Sequence, residues 1–290
     1  MSRRFAIVGA GKVGTALACL LSRAGYDFLG AASRRPESAR AACEFAGSGR
    51  PAASAPGLTR SAELVFITTP DDAIGEVCRG LAEASGFARG SVVAHCSGAL
   101  PSTILEPARS CGALLGSMHP LQSFATAEQA VQVLPGSYCC IEGDPDAVQV
   151  LSAAARAIGA HAMTIPTEGK ALYHAAAVVA CNFLVALEHA ALKLDEAAGI
   201  DSGDAIRSLL PLIKGTVGNL ENVGIPECLT GPIARGDVET TRRHLEAIGQ
   251  RLPDLLPLYK VLGLETIEVA LAKGSLSKER AAQLRRMLRS

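Results

Sequence analysis

The sequence predicts an α/β first half, a doubly wound parallel sheet covered by helices, followed by an all-α second half. Three observations carry this. Up to about Pro166, short β-rich runs alternate with helical stretches, the pattern of a parallel sheet with helices on both faces. Most of those runs are apolar throughout, as strands buried on both faces are. Beyond Pro166 the β pattern stops, and apolar residues recur at helical spacing, as at Leu184, Leu187, Ala191 and Leu194 and again at Leu255, Leu258 and Leu262. A chain of 290 residues exceeds the usual single domain, so the expected division is residues 1–166 and 167–290.

The expected strands are the runs RFAIVGA, DFLGAAS, ELVFITT, SVVAHCS, GALLGSM, SYCCIEG and AHAMTIP. GSGRPAASAPG, rich in Gly, Pro and Ala, reads as a surface loop between the second helix and the third strand. The first long helix of the second half is apolar on several faces, which suggests that it is covered on more than one side, by a second subunit. Its most apolar stretch, Ala171 to Leu192, contains His174, Asn182, Glu188 and His189, so it reads as a buried helix of a soluble protein and not as a membrane span. The N-terminal stretch imitates a signal peptide, with Arg3 and Arg4 before an apolar run, but Lys12 and three ordered glycines argue against one.

Twenty-eight basic residues balance 28 acidic ones, so no global field favours nucleic acid or an anionic membrane, and a small molecule is the expected partner. Nine cysteines without a C-x-x-C pair or a metal-like spacing fit a reducing cytosol and give no metal site.

AIVGAGKVGTALA places Gly9, Gly11 and Gly14 in G-x-G-x-x-G register, after a strand and opening a helix. Gly9 makes the tight turn, Gly11 lets backbone approach a pyrophosphate, and Gly14 lets helix and strand pack closely, the Rossmann arrangement. Ala10, Lys12 and Val13 complete the loop, whose helix N-terminus faces the phosphates. At the end of the second strand, where an NAD site carries a carboxylate, the sequence has Ser33, Arg34 and Arg35. A hydroxyl and two guanidinium groups suit a 2′-phosphate, so the expected cofactor is NADP; the competing assignment leaves both arginines solvated. Thr69 and Pro70 end the third strand and are expected to line the cofactor, whereas Asp71 or Asp72 reads as a helix cap.

Two further strand ends complete that edge. VVAHCSGAL offers His95, Cys96 and Ser97, and GSMHPLQSF offers His119. His119 is the candidate acid/base or polarising group, with Ser97 its helper. The competing reading makes His119 a turn histidine satisfied by backbone. His95 reads as packing and Cys96 as a buried, inert thiol, although Cys96 could serve acyl transfer. In EGKALYHAAAVVACN, Lys170 and His174 share a helix face; His174 and Asn182 are candidate substrate-facing residues, and Lys170 reads as a solvated lysine near a helix start. In CLTGPIARGDVETTRRHL, Asp237 reads as a helix cap, with Thr230, Arg235 and Asp237 together a possible site across a dimer.

HPLQSF, AAVVACNFLVAL and LTGPIARGD, following the dinucleotide loop, resemble a family of Rossmann-like proteins whose helical C-terminal half is a domain of unknown function. The resemblance spans nearly the whole chain and implies an NADP oxidoreductase. More distantly, the architecture is similar to pyrroline-5-carboxylate reductase and the β-hydroxyacid dehydrogenases, which implies a helical dimerisation domain and so a homodimer. In the latter a catalytic lysine is followed four residues later by asparagine; here Lys170 is followed by His174. Prephenate dehydrogenases also carry a serine after a strand and a histidine in an H-P turn, which Ser97 and His119 resemble. The expected activity is hydride transfer to or from a small carbonyl, hydroxyl or imine compound in a cleft between the domains; the alternative is a non-catalytic NADP-binding sensor.

Overall fold

The structure, a computed structural model, describes residues 3–290. The chain divides into two compact units, one up to Ala180 and one from Cys181 to Ser290. The division falls inside a helix and after the point where the β pattern ends, because the first turns of that helix are bonded to the sheet.

The first unit is an eight-stranded sheet. Its strands are β1 (Arg4–Val8), β2 (Asp27–Ala32), β3 (Arg50–Pro51), β4 (Leu64–Ile67), β5 (Val92–His95), β6 (Leu114–Leu121), β7 (Tyr138–Gly143) and β8 (His161–Thr164), in the spatial order 3-2-1-4-5-6-7-8. All seven expected strands form. The eighth, β3, is a two-residue edge strand within the segment read as a loop; it pairs with Gly30 and Ala31 at the end of β2. Side chains of β1 alternate between the two faces. Phe5 and Ile7 pack on one side with helices α1 (Lys12–Arg23), α2 (Pro36–Ala46) and α6 (Pro145–Ala157). Ala6 and Val8 pack on the other with α4 (Asp71–Glu83) and the 3-10 segment Ser102–Cys111. Both sets are apolar because both faces are covered.

The expectation of a parallel sheet needs one correction: β6 and β7 are antiparallel, while β7 and β8 are parallel to each other. The link between β6 and β7 holds only α5, Ala127–Val133. Seven helical residues rise about 10 Å, and the eight residues of β6 span about 26 Å. So short a helix does not carry the chain back across the sheet, and β7 starts at the end where β6 stopped.

The second unit is all helix: α8 (Phe183–Ala198), α9 (Ser202–Val223), α10 (Val238–Arg251), α11 (Leu256–Lys273) and α12 (Lys278–Arg289). Its core is Ile233, Ile267, Ala270, Leu276, Ala281, Leu284 and Leu288. Residues Thr167–Ala198 form a 32-residue helical run, long and apolar enough to cross a membrane by length and composition, and none of its most apolar window is buried inside the chain. The expectation of a buried helix therefore fails for the chain alone. Leu172, Val179, Phe183 and Val185 on this run are exposed, as are Leu212, Val217 and Val223 on α9.

Candidate active site

The order 3-2-1-4 makes β1 and β4 the switch point of the sheet, and a crevice opens outside their carboxyl ends. A cavity of about 730 Å³ lies there, lined by Gly9, Ala10 and Gly11 after β1, Ser33, Arg34, Arg35 and Ser38 beyond β2, and Thr68, Thr69 and Pro70 after β4. Gly9 has φ +104, and a Cβ on it would lie 2.6 Å from the Thr69 nitrogen, whereas a Cβ on Gly11 would meet nothing within 4 Å. Gly9 is therefore the turn, and Gly11 leaves an open cradle. A Cβ on Gly14 would lie 2.4 Å from the Gly9 carbonyl oxygen, so that glycine serves helix packing. Lys12 and Val13 are not among the residues lining the cavity.

These residues fit a dinucleotide. The N-terminus of α1 has no side-chain cap and no acidic residue in its first turn, so its N–H groups and dipole are available to an anion. Thr69 Oγ1 is buried with no hydrogen-bond partner, an orphan that a ligand would satisfy. Arg34 and Arg35 are exposed. Ser38, which sequence reasoning missed, lies one turn into α2 and adds a hydroxyl to the Ser33, Arg34 and Arg35 group.

The second cluster is built on the antiparallel pair and on α7 (Lys170–Ala177). Ser117 lies directly opposite Glu142, and His119 opposite Cys140, so alternate positions put all four side chains on one face. From the helix, Lys170, Tyr173 and His174 meet that face at i, i+3 and i+4. Lys170 Nζ donates to Ser117 Oγ and lies 3.9 Å from Glu142 Oε1, with the two side chains 2% and 0% exposed. Glu142 also accepts from Ser102 N, Ser102 Oγ and Thr167 Oγ1, each at 2.8 Å. The expectation that Lys170 is solvated is thus overturned: strand geometry supplied a buried carboxylate that no motif announced. Burial lowers the Lys170 pKa, opposed chiefly by the Glu142 charge.

On the next rung, His119 Nδ1 lies 2.8 Å from the Tyr173 hydroxyl. The His119 and His174 rings meet edge to face with centroids 6.1 Å apart. A Cβ on Gly98 would lie 2.6 Å from His174 Nδ1 and 2.8 Å from His119 Nε2, so only glycine admits both rings at the β5 turn. His174 Nδ1 is buried and has no partner. Burial, helped by the Lys170 and His174 charges, pushes the His119 pKa down to about 4, which keeps the ring neutral near pH 7. Tyr173 and Gly98 are the residues sequence reasoning missed here; the aromatic at i+3 from Lys170 was the available signal.

Ser97 has other partners than His119. Its hydroxyl donates to Asp71 Oδ2 at 2.7 Å and accepts from Ala99 N and Leu100 N. Asp71 is the first residue of α4, whose N-cap is Pro70 without a side-chain bond, so its carboxylate ties the two strand ends together instead of capping. His95 is fully buried; its Nδ1 accepts from Ser97 N and its Nε2 faces the Pro101 carbonyl, which pins the turn. Burial depresses its pKa to about 4. Burial raises the Cys96 thiol, as an inert cysteine requires. Asn182 ends a π-helical turn, Val178–Asn182, in the second unit and is exposed. Asp237 caps α10, accepting from Thr240 N at 2.9 Å and Thr240 Oγ1 at 2.7 Å.

Two domain models match the chain. Residues 2–120 match the Rossmann-like domain model, and residues 137–266 match a domain of unknown function, DUF2520. Protein TM1727 of Thermotoga maritima is 29% identical with a TM-score of 0.72, over 93% of this chain and 99% of its own. A candidate NADP oxidoreductase of Bacteroides fragilis, BF3122, is 24% identical with a TM-score of 0.71, over 92% and 98%. A reductive aminase of Aspergillus terreus, solved with NADPH and ethyl levulinate, is 18% identical with a TM-score of 0.63, over 98% and 99%. The last two share the fold. No curated protein matches the sequence. The chain thus carries, in tandem, an N-terminal match to the Rossmann-like domain and a C-terminal match to DUF2520.

Proposed function

We propose that the protein is an NADP(H)-dependent oxidoreductase acting on a small carbonyl, hydroxyl or imine compound. The observation that carries the reading is the pairing, in one unit, of a glycine cradle beside Ser33, Arg34 and Arg35 with a neutral imidazole at the end of a later strand. The shared fold of a candidate NADP oxidoreductase and of a reductive aminase solved with NADPH supports it. Gly9 to Gly11 and the α1 N-terminus would hold the pyrophosphate, Thr69 and Pro70 the adjoining part of the cofactor, and the two arginines with Ser33 and Ser38 the 2′-phosphate. When bound, the cofactor supplies or accepts a hydride.

His119 holds the reacting oxygen or nitrogen of the substrate at Nε2, which no hydrogen bond of the chain engages among the described residues. His174 and Asn182 are proposed to face the substrate, and Ser97 supports the turn beside it. We assign the exposed apolar faces of the Thr167–Ala198 run and α9 to a homodimer interface, as those areas are too apolar to remain in water, and the protein to a reducing compartment, consistent with its free cysteines.

Consumption of NADPH across a panel of small ketones, aldehydes and cyclic imines tests the reading, with His119→Ala alongside. The expected result is turnover by wild type, and loss of turnover with NADPH affinity kept in the variant. NADPH binding without consumption of any substrate, or undiminished turnover by His119→Ala, contradicts it.

A further inference from the structure

His119, Tyr173 and Cys140 cluster on one face of the sheet. His119 and Cys140 stand opposite each other on β6 and β7. The Tyr173 hydroxyl reaches down from α7, lying 2.8 Å from His119 Nδ1 and near enough to the Cys140 thiol for the two to interact electrostatically. A neutral imidazole carries one proton, and the nitrogen that holds it decides whether the other acts as donor or acceptor. Tyr173 has one hydroxyl hydrogen to place. It either donates to Nδ1, leaving the ring proton on Nε2, or donates to sulfur and accepts from an Nδ1 proton.

The two arrangements differ in how donors and acceptors are matched. The phenol is the strongest neutral O–H donor of the set and the imidazole nitrogen its strongest acceptor, whereas sulfur is weak in both roles. Donation from the phenol to Nδ1 joins the best pair and leaves the thiol only a minor contact with the phenol oxygen. The opposite arrangement spends the phenol hydrogen on sulfur and asks the phenol oxygen to accept from nitrogen. Around the ring the other charged or titratable groups are Lys170 and His174 from α7, Asp71 from α4 and His95 from β5. Among the described residues none of them hydrogen-bonds either ring nitrogen, so Tyr173 alone sets the tautomer.

We propose that Tyr173 is a positioning residue whose hydroxyl donates to His119 Nδ1 and fixes the ring as the Nε2–H tautomer, so that the site offers one uncharged donor to the acceptor atom of an oxidised substrate, a carbonyl oxygen or imine nitrogen. This rests on the oxidoreductase reading for its substrate class, and on hydrogen bonding alone for its tautomer. The donor acts on the heteroatom in the shared transition state: as hydride reaches carbon, the electron pair of the C=O or C=N bond moves onto the heteroatom, where Nε2–H stabilises the growing charge, and a proton from water completes the product.

The test reads the tautomer without cofactor or substrate. Long-range proton–nitrogen correlation spectra of the full chain, labelled with 15N-histidine and assigned with His119→Gln, separate a ring protonated on Nε2 from one protonated on Nδ1. The expected result is the Nε2–H pattern for His119 across roughly pH 6 to 8, and in Tyr173→Phe a change to Nδ1–H or a mixture. Because wild type is read directly, the claim does not depend on the variant folding. An Nδ1–H pattern in wild type, or an unchanged pattern in folded Tyr173→Phe, overturns it. If the Nε2–H tautomer is found but no carbonyl or imine consumes NADPH, the functional reading and its substrate class fall while the tautomer stands.

Discussion

Glu142→Gln tests the buried pair under the candidate site. The substitution keeps the shape of the side chain but removes its charge. The hydroxyls of Ser102 and Thr167, which now donate to the carboxylate, can rotate to accept from the new amide, so most hydrogen bonds survive. What is lost is the counter-charge of the Lys170 ammonium, 3.9 Å away and 2% exposed. Leaving one member of a buried pair uncompensated costs about 3–5 kcal/mol. At about 2–4 °C per kcal/mol for a unit of this size, the melting temperature falls by roughly 6–20 °C. Adding Lys170→Met removes the orphaned ammonium, so the double variant recovers much of the loss, because an apolar replacement of a whole buried pair is often near neutral. The assay is urea and thermal unfolding of both single variants and the double. A Glu142→Gln loss under about 1 kcal/mol, or fully additive effects in the double variant, would refute the argument.

Gly98→Ala puts a methyl 2.6 Å from His174 Nδ1 and 2.8 Å from His119 Nε2; it should lower kcat by about a hundredfold or more and leave NADPH affinity within about twofold, and steady-state kinetics with calorimetric titration would show otherwise if activity persisted. Arg34→Ala removes one charge-assisted contact to a 2′-phosphate, so NADPH binding should weaken by roughly 10- to 100-fold with NADH binding unmoved; equal losses for both nucleotides would place Arg34 elsewhere. His95 has a folded pKa near 4 against an ordinary 6.5, so the unfolded chain binds the proton more tightly: its contribution is complete above about pH 6.5 and lost as pH falls through about 4, at most about 3 kcal/mol in all. Unfolding midpoints of wild type and His95→Gln over that window should converge towards acid, and parallel curves would contradict this.

The first domain was legible because its signals are local. Glycine spacing follows from backbone sterics, and strands covered on both faces are written as apolar runs such as Leu64–Ile67. The reversal at β7 was not legible, since a seven-residue helix and a longer one look alike until the return path is measured. The same reversal hid the polar rungs: nothing in the spacing of Ser117 and Glu142, or of His119 and Cys140, says that they will face each other, because cross-strand register belongs to the fold and not to the local sequence. Lys170 therefore read as an ordinary surface lysine. Ser97 was placed at the correct turn, but its hydroxyl is engaged by Asp71 and two backbone N–H groups, a closure that only tertiary structure reveals.

The central claim joins the glycine cradle and His119 in one hydride-transfer enzyme. Its most direct measurement uses NADPH carrying deuterium at the transferable position, incubated with the carbonyl and imine panel and read by mass spectrometry of the products. The account predicts one deuterium on the former carbonyl or imine carbon with wild-type protein, and none above background with His119→Ala, which still binds NADPH. Label found in no product, or found equally with both proteins, would contradict it.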